Sequence, residues 1–519
     1  MLTKFKNTSL YLPAILITAL LLRVVFLGSI PSGLFTDEAS NAYDAYSILH
    51  TLRDQYGEFL PWYFKSANDY REGLYTYLMV PFIKLFGLTT FGARITSAVI
   101  GTLTVFIVYH LAKEIFNQKI GLLSALFLAI LPWHIHFSRV TFRAILVPCL
   151  FCLSLLLFFK SFKQPKWLVA SSLLFCISIY TYNSSRVFIP LFLLGLGAIY
   201  WEHLWKNRYY TTWALIAFSI LFIPQIIYQL SPEGMARANT VGIQTDFNKI
   251  VSDYFSYFSL DFLFFEGDPS PRHKINNMAG LYSFQIPLIL AGLLLLIKEK
   301  TYHKWILYIW LVLYPIPAAF ISPESAVRTL VVTPLFAIIS GYAVGKITDF
   351  SQGIWKKAAI FLLMGVMFAN LVIYSQRYVF EYPRWHTDVW LSTLGETISY
   401  AEKTSYECIV YSDHVYGTYA YIMIPFFAQM PPSQYQQYGV DVVQNKLDMG
   451  RWKIKDLEKL ETLNTSCLYL LYGESDRDNP KGEDGEIIEN KGYQEKFIHS
   501  FKDLNDVERY RLVEIEKKT

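Results

Sequence analysis

The chain has 519 residues, of which 53% are hydrophobic and only 17% charged, with a formal net charge of +4. That hydrophobic content excludes a disordered chain, and so small a net charge excludes a nucleic-acid binder. Five cysteines exclude a disulfide scaffold, and the single CxxC spacing, Cys149/Cys152, has no second pair with which to form a zinc ribbon. A charged fraction below the usual ~25% leaves long uncharged stretches, and a polytopic membrane protein is what remains.

Crossing a bilayer takes ~20 apolar residues in a helix. Runs of this kind fall near 9–29, 92–112, 120–135, 144–160, 167–182, 187–201, 211–230, 281–297, 304–321, 329–346 and 357–375. The expected fold class is therefore a polytopic α-helical membrane protein with about eleven transmembrane helices. No small-residue cleavage site follows the first run, which is read as a retained helix. One set of alternate connections holds Lys4/Lys6, Lys113/Lys119, Lys160/Lys163/Lys166, Lys206/Arg208, Lys298/Lys300/Lys304 and Lys346/Lys356/Lys357. These fifteen basic residues face four acids, Glu114, Glu202, Glu299 and Asp349. By the positive-inside rule the N-terminus is cytoplasmic and the C-terminus extracytoplasmic.

The opposite side carries the long segments 30–91 and 231–280, which belong to a transmembrane module of residues 1–375. Thr36 is positioned to cap a helix over 37–51, on which Ala39, Ala42, Tyr43, Tyr46 and Leu49 form one apolar stripe. Such a helix is expected to lie along the outer membrane surface. Residues 376–519 change character. Val389–Lys403 has helical periodicity, Cys408–Tyr411 and Cys467–Leu471 read as buried strands, and two more strands fall near 495–500 and 508–515. The tail is expected to be one extracytoplasmic α/β domain. Cys149, Cys152 and Cys176 lie within spans as small apolar residues. Cys408 and Cys467 each open a strand expected in the same sheet, either disulfide-bonded or as two buried free thiols.

Four arginines stand where short outer loops normally lack basic residues: Arg139, Arg143, Arg186 and Arg328. Each alone is explained by snorkelling or by pairing with Glu324, Asp37 or Glu38. Four on one face favour a shared anion, and guanidinium matches phosphate with two parallel hydrogen bonds. Asp37-Glu38 follows the first span on the same side. Acids in a helix's first turn also complement its dipole without any function, whereas repulsion within an adjacent pair suits a general base. Further polar groups are Asp69, Arg71 and Glu72, then His134 and His136, then Glu266, Asp268, Arg272, His273 and Lys274. The two histidines flank Ile135, a spacing that diverges on a helix and has no third ligand nearby, so hydrogen bonding is favoured over metal. Trp62, Tyr63, Tyr70, Tyr75 and Tyr182 read as an interfacial belt. No P-loop, dinucleotide fingerprint or nucleophile elbow is present. An enzyme working outside the cell lacks nucleotide-activated donors, so its donor is expected to be a lipid-linked phosphate ester.

A set of motifs then runs in order along the chain. Asp37-Glu38 is followed by Leu85-Phe86-Gly87…Phe91-Gly92-Ala93-Arg94, Pro132-Trp133-His134-Ile135-His136-Phe137-Ser138-Arg139, Phe142-Arg143-Ala144 and Tyr180-Thr181-Tyr182. Gly267-Asp268 and Ser322-Pro323-Glu324-Ser325-Ala326-Val327-Arg328 complete it. Over roughly residues 9–345 this resembles the GT-C glycosyltransferases of the protein O-mannosyltransferase and lipid A aminoarabinose-transferase superfamily. The resemblance implies an inverting transfer from a polyprenyl-phosphate sugar to an acceptor at the outer face. On that pattern Asp37 is the catalytic base, Glu38 its neighbour in the motif, and Arg328 the arginine of the later loop. Many members carry an acid shortly after the Ser-Arg; here Thr141, Phe142, Arg143 and Ala144 stand there instead.

The expected enzyme is thus a multi-pass cell-membrane glycosyltransferase. Its donor phosphate is bound by Arg139, Arg143 and Arg328, with Arg186 and Lys274 behind them. Asp69, His134, His136, Asp268 and Tyr182 are further cavity candidates. Its partners are a polyprenyl-phosphate-linked sugar, a protein, lipid or glycan acceptor and membrane lipids, with no nucleic acid. No cofactor is required, and a divalent metal is compatible with the reading but not demanded by it. The rivals are a lipid or glycolipid transporter and a protein that only binds lipid phosphate. No internal repeat of the kind many transporters show is visible.

Overall fold

The computed structural model describes residues 8–67, 69–275, 277–321, 324–350, 352–415, 417–442, 444–473 and 482–518. Lys4, Lys6, Ser322 and Pro323 lie outside the described residues. Among the described residues, five helices are long and apolar enough to cross a membrane: Thr90–Ile115, Arg143–Lys160, Arg208–Gln229, Leu330–Phe350 and Lys356–Trp385. The shorter apolar helices Leu10–Val24, Gln118–Ile130, Trp167–Ile179, Ser185–Ile199, Gln285–Ile297 and Lys304–Ala319 cover the remaining apolar runs, and Leu74–Phe86 is an additional one inside segment 30–91. The Arg208–Gln229 and Lys356–Trp385 helices bury few of their residues, as helices facing lipid do.

By its contacts the chain divides into two compact units, residues 1–27 with 94–379 and residues 28–93 with 380–519. The segment 30–91 thus groups with the tail.

In the first unit the Thr333–Phe350 helix packs against Gln118–Ile130 and Gln285–Ile297. Gly341 permits that approach, because a Cβ there would lie 2.6 Å from the Ser124 backbone nitrogen. Trp167–Ile179 packs against Leu146–Lys160 on one side and Arg208–Gln229 on another. Arg23 is fully buried at the end of the Thr8–Val24 helix. Its Nη1 donates to the Ala19 carbonyl at 2.9 Å and the Ala129 carbonyl at 3.0 Å, and Nη2 lies 2.9 Å from His134 Nδ1. One cation thereby ties the Thr8–Val24 helix to the carbonyl end of Gln118–Ile130, where a positive charge is favoured.

In the second unit the Thr36–Thr51 helix is the centrepiece. Thr36 is its first helical residue and Phe35 its N-cap, so Thr36 does not supply the cap expected of it. The free Phe35 N–H is taken instead by Glu38 Oε2 at 3.1 Å, three residues on. The apolar stripe also differs from expectation: it faces protein rather than a membrane surface. Ala39, Ala42 and Tyr43 are fully buried, and the helix packs against Leu74–Phe86, Gly417–Phe427 and Pro432–Tyr438. Tyr43 donates its hydroxyl to the Met430 carbonyl at 2.9 Å and meets the Tyr435 ring edge-on. Period alone fixes which face is buried, and the tail rather than lipid supplies the partner.

A hairpin of β1 (Tyr63–Ser66) and β2 (Asp69–Glu72) follows that helix. The tail sheet contains β3 (Ile409–Ser412), β4 (Trp452–Lys455), β5 (Leu468–Tyr472), β6 (Tyr493–Lys502) and β7 (Glu508–Lys517), in the order β4-β3-β5-β7-β6. β3 runs parallel to β4 and β5, and β7 runs antiparallel to β5 and β6. The expected helix over 389–403 is shorter, Leu394–Glu402, and β4 is a strand the pattern did not reveal. Ile409 pairs with Leu468. The residues just before them, Cys408 and Cys467, are disulfide-bonded with their Cα atoms 4.6 Å apart.

Candidate functional site

The second unit holds Asp37, Glu38 and Asp69. The first turn of the Thr36–Thr51 helix separates its two acids. Asp37 is exposed, and its carboxylate has no hydrogen bond or ion pair among the described residues. Glu38 is fully buried and holds the Phe35 N–H. One is an open base and the other a cap. Asp69 begins β2 and accepts from the Tyr70 N–H at 2.8 Å.

Beneath Asp37 the same helix face turns inward. Ser40, Asn41 and Asp44, at the i+3, i+4 and i+7 positions from Asp37, are all buried. Asn41 donates to the Asp37 carbonyl at 2.8 Å. Arg71 from β2 reaches Ser40 Oγ and Asp44 Oδ2, both at 2.7 Å, with its side chain 3% exposed. Gln55 adds its backbone N–H to Asp44 Oδ1 at 3.1 Å. Burial pushes the Asp44 carboxyl up, to about 8, against the pull of Arg71. This pair joins the hairpin to the helix that bears Asp37.

The first unit holds the other expected residues, and most of them line one of two places. A cleft of about 540 Å³ is lined by Tyr182, Arg186, Gln229, Pro317, Phe320 and Arg328 among others. Its walls are chiefly apolar. Arg186 donates to the Gln229 side-chain oxygen, and the Arg143 guanidinium lies 5.6 Å from the centre of the Tyr182 ring. The Arg328 guanidinium, half-buried, makes no hydrogen bond or ion pair among the described residues. The second place is a water-sized cavity of about 20 Å³ lined by Trp133, His136, Asp268, His273 and Lys274. Lys274 donates to the Glu266 carbonyl at 3.0 Å.

Arg139, Arg143 and His134 line neither. Arg139 is buried, donates to the Leu22 carbonyl at 3.0 Å and stacks 5.0 Å from the Tyr378 ring centre. His134 is engaged by Arg23, and His136 Nε2 lies 2.7 Å from the Arg272 carbonyl. The two rings diverge from the Pro132–Phe137 helix as their spacing implies. Among the described residues no group of three His, Cys, Asp or Glu side chains is placed to hold a metal ion. Sequence reasoning missed the Asp44–Arg71 pair and the bond between Asp268 and His273. Neither has a short-range signature beyond unusual charge.

Residues 74–228 match the family model described as Dolichyl-phosphate-mannose-protein mannosyltransferase. No curated protein sequence matches the chain. Among solved structures, ArnT from Cupriavidus metallidurans bound to undecaprenyl phosphate aligns with a TM-score of 0.60 at 13% identity. That match covers 96% of this chain and 97% of that one. Its apo form gives 0.58 at 12% identity over the same shares. The archaeal oligosaccharyltransferase AglB from Archaeoglobus fulgidus, in complex with an inhibitory peptide and a dolichol-phosphate, gives 0.50 at 13% identity. There the match spans 91% of this chain and 70% of that one. The chain is a helical membrane protein with the GT-C fold of the glycosyltransferases.

Proposed function

We propose that this protein is a membrane glycosyltransferase that moves a sugar from a polyprenyl-phosphate donor to an acceptor at the extracytoplasmic face, with inversion. The observation that carries the reading is the cleft of about 540 Å³ whose chiefly apolar lining includes Arg186 and Arg328. Apolar walls suit an isoprenoid chain, and the Arg328 guanidinium, with no hydrogen bond or ion pair among the described residues, suits a phosphate. The match of residues 74–228 to the Dolichyl-phosphate-mannose-protein mannosyltransferase family model supports it, as do the similar solved structures bound to undecaprenyl phosphate and in complex with a dolichol-phosphate.

In this reading Asp37 takes the proton of the acceptor hydroxyl as that oxygen attacks the anomeric carbon. The bond from that carbon to the phosphate oxygen breaks, and its electron pair leaves with the lipid phosphate. A phosphate is already a good leaving group and needs no protein acid. The arginines stabilise the negative charge that develops on it, the role usually responsible for the largest part of rate enhancement. Asp37 is suited to be the base because its carboxylate is exposed and unengaged, while Glu38 is committed to the helix cap. A transporter reading has no comparable support from the fold.

The test is binding of undecaprenyl phosphate and of undecaprenol to purified protein in phosphatidylcholine nanodiscs, read by native mass spectrometry. The phosphate form binds preferentially, and Arg328→Gln weakens it by on the order of tenfold, the worth of one charge-assisted hydrogen bond. Equal binding of the two lipids by the wild type would remove the phosphate site from the account.

A further inference from the structure

The Trp167–Ile179 and Arg208–Gln229 helices are joined along their length by side chains at Ser172, Cys176 and Tyr180. Ser172 donates its hydroxyl to the Ala214 carbonyl at 2.6 Å, and the Cys176 thiol donates to the Phe218 carbonyl at 3.5 Å. The Tyr180 hydroxyl donates to the Leu221 carbonyl at 2.5 Å. Donors and acceptors advance together, so the two helices run parallel and begin at the same end of the protein. Beside this seam lies a groove of about 370 Å³, lined by Val169 from one helix and by Tyr209, Trp213, Ala217 and Ile220, among others, from the other. These last four recur every three or four residues and so share one helix face. From Tyr209 to Ile220 the groove runs eleven residues, about 16 Å, which is one leaflet of a ~30 Å hydrocarbon core.

The groove begins among cations. Lys166 stands six residues before Ser172 and Arg208 six before Ala214, so both side chains leave their helices at the same depth. Both are exposed, and neither makes a hydrogen bond or ion pair among the described residues. Lys206 is exposed two residues ahead of Arg208, while Glu202 is the one acid in the sequence from Lys160 to Trp213. Both helices start here, so the positive ends of two macrodipoles add to the side-chain charge. Trp201 and Trp205 are exposed with their rings stacked 5.5 Å apart, and such amphipathic rings settle at headgroup level. An apolar trough one leaflet deep below unpaired cations matches the two parts of a phospholipid, its chain and its phosphate. A transmembrane helix of another protein would need an acid at this depth to meet Lys166 and Arg208. A zwitterionic lipid would bring its own ammonium against them, whereas a net anionic headgroup does not.

We propose that this groove binds an anionic phospholipid, with one acyl chain lying along Tyr209–Ile220 and the phosphate between Lys166 and Arg208. By the positive-inside reading this end of the protein is cytoplasmic, so the lipid comes from the inner leaflet. The site is separate from the proposed donor cleft. Gln229 lines that cleft, twenty residues beyond Tyr209 on the same helix and about 30 Å along it. The inference therefore does not depend on the glycosyltransferase reading. The lipid braces a helix that buries few of its own residues and whose far end holds Gln229 against Arg186. A ligand that binds only the folded protein stabilises it by mass action, so occupancy is readable as a melting shift.

The experiment delipidates the full-length protein in detergent and titrates it with phosphatidylglycerol or phosphatidylcholine of identical acyl chains. Native mass spectrometry reads the bound lipid, and a lipid-free melting midpoint matching wild type shows each variant folded. Wild type retains one phosphatidylglycerol about tenfold more tightly than phosphatidylcholine, and its midpoint rises with phosphatidylglycerol. Lys166→Gln/Arg208→Gln loses that preference, the worth of two basic residues at a membrane surface. Lys298→Gln/Lys300→Gln removes as much exposed charge elsewhere at the same end and keeps it. Ala217→Phe fills the groove and weakens both lipids. Equal retention of the two lipids by wild type would overturn the site, and so would an undiminished preference in Lys166→Gln/Arg208→Gln. A lipid-free dimer that Ala217→Phe splits would show a second copy in the groove and would overturn it as well. None of these results touches the donor cleft, whose own probe is undecaprenyl phosphate.

Discussion

Removing the Cys408–Cys467 bond is expected to destabilise the tail sheet by several kcal/mol. The two cysteines are 59 residues apart in sequence. Closing a loop of that size in the unfolded chain is worth about 4 kcal/mol by the chain-entropy relation. Their positions explain why the native state accepts the link without rearrangement. Each directly precedes a strand, the strands are parallel neighbours, and Cys467 is buried in the core formed by Val410, Tyr469, Leu471, Ile488 and Val513. The second unit contains 206 residues, 66 from 28–93 and 140 from 380–519. A domain of that size loses about 2–4 °C of melting midpoint per kcal/mol, so the Cys408→Ala/Cys467→Ala variant should melt about 8–16 °C lower. The assay is a thermal melt in nanodiscs, with and without reductant, paired with mass spectrometry of protein alkylated at the moment of lysis. The bond should be found already formed, because oxidation requires the tail to face an oxidising compartment. Free thiols in freshly alkylated protein, or a melt indifferent to reductant and to the double substitution, would refute the reasoning and with it the extracytoplasmic placement.

Gly101→Ala should cost stability well beyond a surface change, since a Cβ there would lie 2.1 Å from Ser138 Oγ, beside the buried Arg23; a melt within 1 °C of wild type would contradict this. Arg71→Met should destabilise the second unit by about 3–5 kcal/mol, while Arg71→Met/Asp44→Leu recovers most of the loss, because an abandoned buried partner costs more than an apolar pair. A double-mutant cycle of melting midpoints checks it, and simple additivity would count against it. Burial alone would raise Asp503, but hydrogen bonds from Thr387, Arg509 and the Asn505 and Val507 N–H groups outweigh it and hold the carboxyl below its ordinary value. A depressed carboxyl contributes stability above its unfolded pKa of ~4 that is lost as pH falls below it, so the melt should drop on acidification from pH 5 to 3, and Asp503→Asn should flatten that drop.

The helices were legible in the sequence because hydrocarbon tolerates only long uncharged runs, and each such run is helical here. Leu74–Phe86 escaped notice because it has only 13 residues, ends on Lys84 and lies in an otherwise polar segment. The stripe on the Thr36–Thr51 helix was correctly seen as buried and wrongly assigned to lipid, since periodicity carries no information about the partner. Residues more than 380 positions away supply it, as the Tyr43–Met430 bond shows. Four residues of Trp452-Lys453-Ile454-Lys455 were too few to announce β4. At the site, the reading of Asp37-Glu38 as a pair missed that a helix turn separates neighbours: one points out and the other folds back to the cap. The arginines were conspicuous by side of the membrane, but which of them lacks a partner is decided by three-dimensional neighbours such as Gln229, Tyr182 and Tyr378. Asp268 is legible as a cavity candidate and His273 only as a polar group in the same loop, because their bond depends on the local fold of that segment.

The most direct test of the central claim is mass spectrometry of cell-envelope glycans, glycolipids and lipid-linked sugars from cells lacking the gene, complemented with wild type or with Asp37→Asn. Loss of one sugar-bearing product and accumulation of its polyprenyl-phosphate donor is predicted in the deletion, reversed by wild type and not by Asp37→Asn present at equal abundance in the membrane. An unchanged envelope in the deletion, or full restoration by Asp37→Asn, would contradict the account.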